Sequence, residues 1–177
     1  DPELSLVFYE YLWLKNWIPT NYTSSLLPAS QTSKGDVWTV QATPTDGLGY
    51  GVPAEATTTI INSSPTVADV EIVSAPAYND SLLSCIGTVN DLDDTPVVTY
   101  LCEHNGVFVG SDSELDVGTL TAVPGDEVSC VLTAEDAEGA GDSGEATLVL
   151  ENREPTIDDI EVGPEDAGIN SLVSCTA

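Results

Sequence analysis

The chain has 177 residues, and its 30 acidic side chains stand against only Lys15, Lys34 and Arg153, for a formal net charge of −27. This excludes a nucleic-acid-binding face, which needs clustered lysine and arginine, and works against adsorption to an anionic membrane. No apolar run approaches the ~20 residues of a membrane span, so membrane insertion is not expected. Such acidity suits a solvated outer surface, repulsion between neighbouring chains, or divalent cations as counter-ions. Apolar residues are ordinary in number and alternate with polar ones, as in a folded chain. No signal-peptide pattern opens the sequence, which reads as a mature or internal stretch.

Alternation begins early. Tyr9, Tyr11 and Trp13 share one face of a predicted strand, and Trp38, Val40 and Ala42 share one face of another. Val67 to Val73 reads as a strand opening just after Pro65, where a missing N–H costs no ladder bond. Leu82 to Val89 follows, with Leu83 and Cys85 on one face, and then Val97 to Glu103, with Val98, Tyr100 and Cys102 alternating. His104-Asn105-Gly106 supplies turn chemistry before Val107 to Val109. Leu115 to Val123 is the next expected strand, followed by the turn Pro124-Gly125-Asp126. Glu127 to Thr133 turns Val128, Cys130 and Leu132 inward, and Glu145 to Leu150 is the last strand before the pattern restarts. No helical periodicity of useful length competes with this reading.

The restart is an internal repeat of about 90 residues. Asn62-Ser63-Ser64-Pro65-Thr66 returns as Asn152-Arg153-Glu154-Pro155-Thr156, and Ser81-Leu82-Leu83-Ser84-Cys85 as Ser171-Leu172-Val173-Ser174-Cys175. Gly35-Asp36 returns as Gly125-Asp126, and Glu55-Ala56-Thr57 as Glu145-Ala146-Thr147, at the same spacing. About seven short strands in such a period fit a Greek-key β-sandwich of the immunoglobulin-like kind. The expected organisation is all-β: residues 1–61 form a repeat lacking its first strands, 62–151 a complete repeat, and 152–177 the first strands of a third. This phase suggests that the tail of one chain completes the head of the next by strand addition, in an open end-to-end series. The alternative is a window on a longer continuous array.

Four cysteines allow three full pairings. Cys85 on the second strand and Cys130 on the sixth stand where an immunoglobulin domain places its inter-sheet disulfide, so these two are expected to pair. The tryptophan that packs on that bridge corresponds to Trp13 in the first repeat and to Cys102 in the second, which makes Cys102 a buried free thiol or a competitor for the bridge. Trp13, Trp38, Tyr11, Tyr100 and Cys102 are the expected core markers. Cys175 repeats Cys85 and is the candidate residue for a contact between copies. A disulfide implies an oxidising, extracellular compartment.

At this point the motifs resemble the tandem immunoglobulin-like repeats of large secreted or cell-surface bacterial proteins, of the kind found in myxobacteria. Those repeats carry an acidic loop, a Tyr-x-Trp strand, a Lys-Gly-Asp-x-Trp strand, a Thr-Pro-x-Asp-Gly turn and an Asn-x-x-Pro linker. Here Asp1-Pro2-Glu3, Tyr11-Leu12-Trp13, Lys34-Gly35-Asp36-Val37-Trp38, Thr43-Pro44-Thr45-Asp46-Gly47 and Asn62-Ser63-Ser64-Pro65 occupy those places. Val40 departs from the family's cysteine and Cys102 from its tryptophan. The resemblance implies a sandwich fold and an extracellular structural or adhesive role, with no particular ligand.

Two loops are dense in carboxylates: Asp91, Asp93 and Asp94, and Asp136 with Glu138. Clustered loop oxygens suit calcium, which takes six to eight of them. The simpler reading is an acidic turn facing water. Catalysis has little support, because the single histidine, His104, sits at an Asn-Gly turn and no nucleophile, phosphate-binding or metalloprotease motif accompanies it. The chain is therefore expected not to be an enzyme. Trp17 and Tyr22 are candidates for stacking on a glycan, against the commoner alternative of packing onto the sandwich.

Overall fold

The computed structural model describes residues 6–74 and 76–177; the acidic Asp1-Pro2-Glu3 segment lies outside them. Thirteen strands follow in chain order: β1 (Phe8–Lys15), β2 (Ile18–Pro19), β3 (Val37–Thr45), β4 (Ala54–Thr59), β5 (Thr66–Val73), β6 (Leu82–Asn90), β7 (Val97–His104), β8 (Val107–Gly110), β9 (Glu114–Asp116), β10 (Glu127–Glu135), β11 (Gly141–Val149), β12 (Glu161–Gly163) and β13 (Ser174–Thr176). They form sheets ordered β2-β1-β3-β4, β11-β10-β7-β8, β5-β6-β9 and β12-β13. The fold is all-β, with several antiparallel sheets, as in a generic immunoglobulin- or fibronectin-III-like sandwich. The fourth strand of the complete repeat, β8, pairs with β7, so it extends the four-stranded sheet rather than the β5-β6-β9 sheet.

Two boundaries differ from the sequence reading. The strand expected over 115–123 stops at Asp116 and gives way to a 3-10 turn at Val117–Thr119. The Asp116 carboxylate accepts the Gly118 N–H at 3.0 Å, and the Thr119 hydroxyl donates to the Asp116 carbonyl at 2.7 Å. Such local bonds compete with a sheet ladder. Conversely, β11 begins at Gly141 rather than Glu145.

The described residues form two compact units that do not follow the repeat boundaries. One holds the chain up to Val70 with Gly87–Tyr100 and Val131–Glu145; the other holds Glu71–Ile86, Leu101–Cys130 and Ala146–Ala177.

In the first unit, β1 and β3 pair over their whole length, with Tyr9 opposite Pro44, Tyr11 opposite Ala42, Trp13 opposite Val40 and Lys15 opposite Trp38. β4 extends the same face with Ala54 opposite Ala42 and Ala56 opposite Val40. Side chains two apart share a face, so these residues make one apolar surface. Only its Trp38 end is closed. Trp13 and Tyr22 meet the Trp38 ring edge-on at 6.3 and 6.4 Å, and the Trp13 indole N–H donates to the Ser24 carbonyl at 2.8 Å. Trp38 is buried, whereas Tyr9 is 58 % exposed and Ala54 and Ala56 lie open. Elsewhere in the unit the sheets of the complete repeat touch closely. A Cβ on Gly87 would meet Leu132 Cδ1 at 3.0 Å, and one on Gly144 would meet Val70 Cγ2 at 2.6 Å.

In the second unit, Leu83, Cys85, Cys102, Leu115, Val117, Val128, Cys130 and Leu150 are buried. Cys85 on β6 and Cys130 on β10 form a disulfide between the two sheets. Cys102 is a free, buried thiol against the same sulfurs, in a gap of only about 10 Å³. Burial, then the nearby Asp112 charge, push this thiol's pKa up. Tyr11, Trp13 and Tyr100 are half-buried. The β7–β8 hairpin turns through Asn105 and Gly106, whose φ values of 49° and 75° are those of a two-residue type I′ turn.

The disulfide spans 45 residues. On the chain-entropy model its removal costs about 4 kcal/mol, so Cys85→Ala/Cys130→Ala should lower unfolding free energy by roughly that amount in a denaturant titration. A loss under about 1 kcal/mol would show that the bridge does not constrain the unfolded chain in this way.

Candidate functional site: a carboxylate junction around Lys34

The first unit gathers its charged loops around the linker between the first two repeats. Pro65 is fully buried and fixes where β5 begins. Just before it, Asn62 is held at both ends: its amide donates to Asp136 Oδ2 at 2.6 Å, and its carbonyl accepts from Lys34 Nζ at 3.1 Å. The Ser63 N–H donates to Asp93 Oδ2 at 3.1 Å. Lys34 precedes Gly35, whose φ of 83° makes the turn into β3, and its ammonium also pairs with Asp94 and, at 2.9 Å, with Glu138. Gly35's N–H donates to the Ile60 carbonyl, so the lysine is carried by the same backbone that ends β4.

The carboxylates are set by their own loops. Asp91 Oδ1 accepts the N–H groups of Asp93 and Asp94 at 3.0 and 3.1 Å, which curls the segment after β6 into a tight turn. Asp136 Oδ1 accepts those of Glu138 and Ala140 at 3.0 and 2.8 Å, closing the β10–β11 connection around Gly139 at φ 80°. Asp136 is only 6 % exposed.

These bonds decide the titration. Asp94 first, then Glu138, hold the Lys34 ammonium well above its usual pKa. The backbone N–H of Asp93 keeps Asp91 below the usual carboxylate range against burial, which acts the other way. For Asp136, burial pushes upward, but the Asn62 amide and the N–H groups of Ala140 and Glu138 outweigh it. Asp91's charge also pushes Asp136 up.

Thus Asp91, Asp93, Asp94, Asp136 and Glu138 come together in one unit. Sequence reasoning missed the groups at their centre, Lys34 and Asn62. As placed, no three His, Cys, Asp or Glu side chains among the described residues converge as metal ligands. The positive charge among them is the lysine's.

The other singled-out residues lie apart from this junction. In the second unit His104 Nε2 sits 2.8 Å from Asp126 Oδ2, and Asn105 Nδ2 donates to Asp126 Oδ1 at 2.9 Å. The only histidine is thus committed to bracing the β7–β8 turn. Cys175 is an exposed free thiol on β13, opposite Val162. In the first unit Tyr22 packs on Trp38, as described, whereas Trp17 is 72 % exposed at the β1–β2 turn with φ 65°, where the β7–β8 turn has Gly106. An open groove between Tyr9, Pro44, Asp46 and Tyr50 was not signalled by any motif.

No family model matches the chain, and no curated protein matches it. Among solved structures it is similar to the fibronectin(III)-like modules of Clostridium thermocellum CbhA, at 17 % identity and a TM-score of 0.35, covering 80 % of this chain and 77 % of that one. This is a distant, partial likeness, and no argument about function rests on it.

Asp126 gives a pH prediction with a definite sign. The Asn105 amide, then the Val123 N–H and His104, lower its carboxyl to about 2 in the folded chain. A depressed folded pKa adds stability above the unfolded value of ~3.9 and loses it as pH falls towards about 2. Asp126→Asn should therefore be less stable than the parent near neutrality and converge with it through that window. Denaturant titrations at pH 7 and below pH 3 measure this; a constant difference between the two would contradict it.

Proposed function

We propose that the chain is a structural repeat region of an extracellular bacterial fibre, stalk or filament, built of Greek-key sandwich modules and without catalytic activity. The observation that carries this reading is the half-covered apolar face of the β1–β4 sheet. Val40 and Ala42 correspond to Cys130 and Leu132 in the repeat, yet they are only half-buried where Cys130 and Leu132 are each 1 % exposed. An apolar face this open marks a surface meant to be covered. In the complete repeat the covering strands are β5 and β6. Their repeat counterparts, β12 and β13, pair only with each other.

The reading therefore has the 152–177 segment of a second copy lie on the open face of β1–β4, so that copies join end to end. The disulfide and the surplus of negative charge suit an oxidising, solvated exterior.

This arrangement places Cys175 of one copy opposite Val40 of the next, as Cys85 stands opposite Cys130. Val40→Cys should consequently produce a reducible ladder of covalent oligomers on a non-reducing gel, while the parent chain and the same variant lacking residues 152–177 produce none. A ladder absent from Val40→Cys under oxidising conditions would overturn strand donation between copies.

A second reading, adhesion to a glycan, is favoured by one observation: a bulky, exposed Trp17 held in a left-handed turn conformation that glycine adopts more cheaply. It calls for glycan-array binding by the parent chain that Trp17→Ala loses. Equal signals from the two would count against it.

A further inference from the structure

In the complete repeat, β6 is held by a short strand as well as by the disulfide. It pairs with β9, with Leu82 opposite Asp116, Leu83 opposite Leu115 and Ser84 opposite Glu114. The Cys85 N–H donates to the Ser113 carbonyl at 2.8 Å, and the Val117 N–H to the Ser81 carbonyl at 3.0 Å. Hydrogen-bonded and non-bonded pairs alternate along an antiparallel ladder. Cys85–Ser113, Leu83–Leu115 and Ser81–Val117 are therefore the bonded pairs, and the Asp116 N–H points away from β6.

The same backbone recurs in the first repeat. Pro28 and Asp116 are both extended, at φ −65°, ψ 138° and φ −84°, ψ 100°, and each opens a 3-10 turn, at Ala29–Gln31 and Val117–Thr119. The Thr32 N–H closes the first turn onto the Ala29 carbonyl at 3.1 Å, as that of Leu120 closes the second onto Val117 at 2.9 Å. Just beyond, the Ser33 N–H donates to Asp36 Oδ2, as the Val123 N–H does to Asp126 Oδ2. Ser25-Leu26-Leu27-Pro28-Ala29 thus stands where Ser113-Glu114-Leu115-Asp116-Val117 stands. Thr121 and Ala122 have no counterpart, so this match is out of step with the sequence repeat. Among the described residues, nothing bonds the Ser25 carbonyl, either backbone group of Leu27 or the Ala29 N–H. Proline, which has no N–H to give, takes the place of Asp116, where the ladder needs none.

The other end of the chain carries the matching turn. The Gly168 N–H donates to Ser171 Oγ at 2.9 Å and the Ser171 N–H to the Gly168 carbonyl at 3.0 Å, as Tyr78 and Ser81 do just before β6 at 2.9 and 3.1 Å. Beyond that turn Val173 is 54 % exposed, whereas its counterpart Leu83 is 2 % exposed.

We infer that residues 25–29 are the edge on which residues 171–175 of a second copy are laid, with Cys175 opposite Ser25, Val173 opposite Leu27 and Ser171 opposite Ala29 as the bonded pairs. This rests on the strand-donation reading above and adds a second contact to it. The open face of β1–β4 takes the apolar side chains, and the 25–29 edge takes the main chain and fixes the register.

Ala29→Pro removes the N–H offered to Ser171 and little else. Pro28 is already extended, as a residue before proline must be, and the first position of a helical turn accepts proline's fixed φ. Ala29→Val keeps the N–H and copies Val117. In the Val40→Cys background, Ala29→Pro should slow the formation of the covalent ladder about tenfold, and Ala29→Val should not slow it. Separately, Ser25→Cys with Val40 unchanged should form its own reducible ladder through Cys175, because bonded partners stand ~5.5 Å apart between Cα atoms, within disulfide range. Leu26→Cys, whose side chain takes the other face, should form none. The 25–29 edge is overturned, and strand donation survives, if Val40→Cys ladders while Ser25→Cys does not, or if Ala29→Pro ladders as fast as Ala29→Val. No ladder from any of these variants overturns both.

Discussion

A β-sheet with one apolar face must bury that face against another layer, and the Cys85–Cys130 bridge marks where the chain meets this demand. It joins β6 to β10 across the inner faces of two sheets, where Leu83, Val128 and their neighbours leave almost no free volume. The same β10 face recurs on β3, with Trp38, Val40 and Ala42 in place of Val128, Cys130 and Leu132. Tyr22 and Trp13 can shield Trp38, but they do not reach as far as Tyr9 and Ala54. The two corresponding faces thus differ in burial although both are apolar.

Electrostatics pulls the other way. A chain with ten times as many acidic as basic side chains repels itself, and each of the three basic residues pairs with a carboxylate. Lys15 pairs with the buried Asp36 and lies over Trp38, Lys34 joins three segments at the first linker, and Arg153 grips Asp80 with both guanidinium nitrogens while stacking on Tyr78. The two linkers solve the problem differently. Asn62 is conserved in the repeat as Asn152, but Lys34 is replaced by Pro124 and Ser63 by Arg153. An arginine in the second linker ties it to Asp80, whereas the first relies on a lysine reached from far along the chain.

Both linkers are tied by charged side chains. A few interactions each hold several segments at once. Asn62 is the clearest case, because one side chain connects the linker to Lys34 on one side and Asp136 on the other.

Much of this was legible in the sequence because it is local or periodic. Strand positions follow from alternation with a period of two, the repeat follows from similar words at one spacing, and the bridge follows from placing Cys85 and Cys130 on those strands. The end of β9 was missed because the Asp116 and Thr119 side chains outcompete the ladder there, which an apolar pattern does not record. The carboxylate loops were visible as composition. What only the tertiary structure decided is their meeting with Lys34, which lies 60 residues from Asp94 and 104 from Glu138. Sequence spacing determines which face a side chain takes within a strand; which loops share a corner depends on how separate strands close the chain, and no local pattern encodes that.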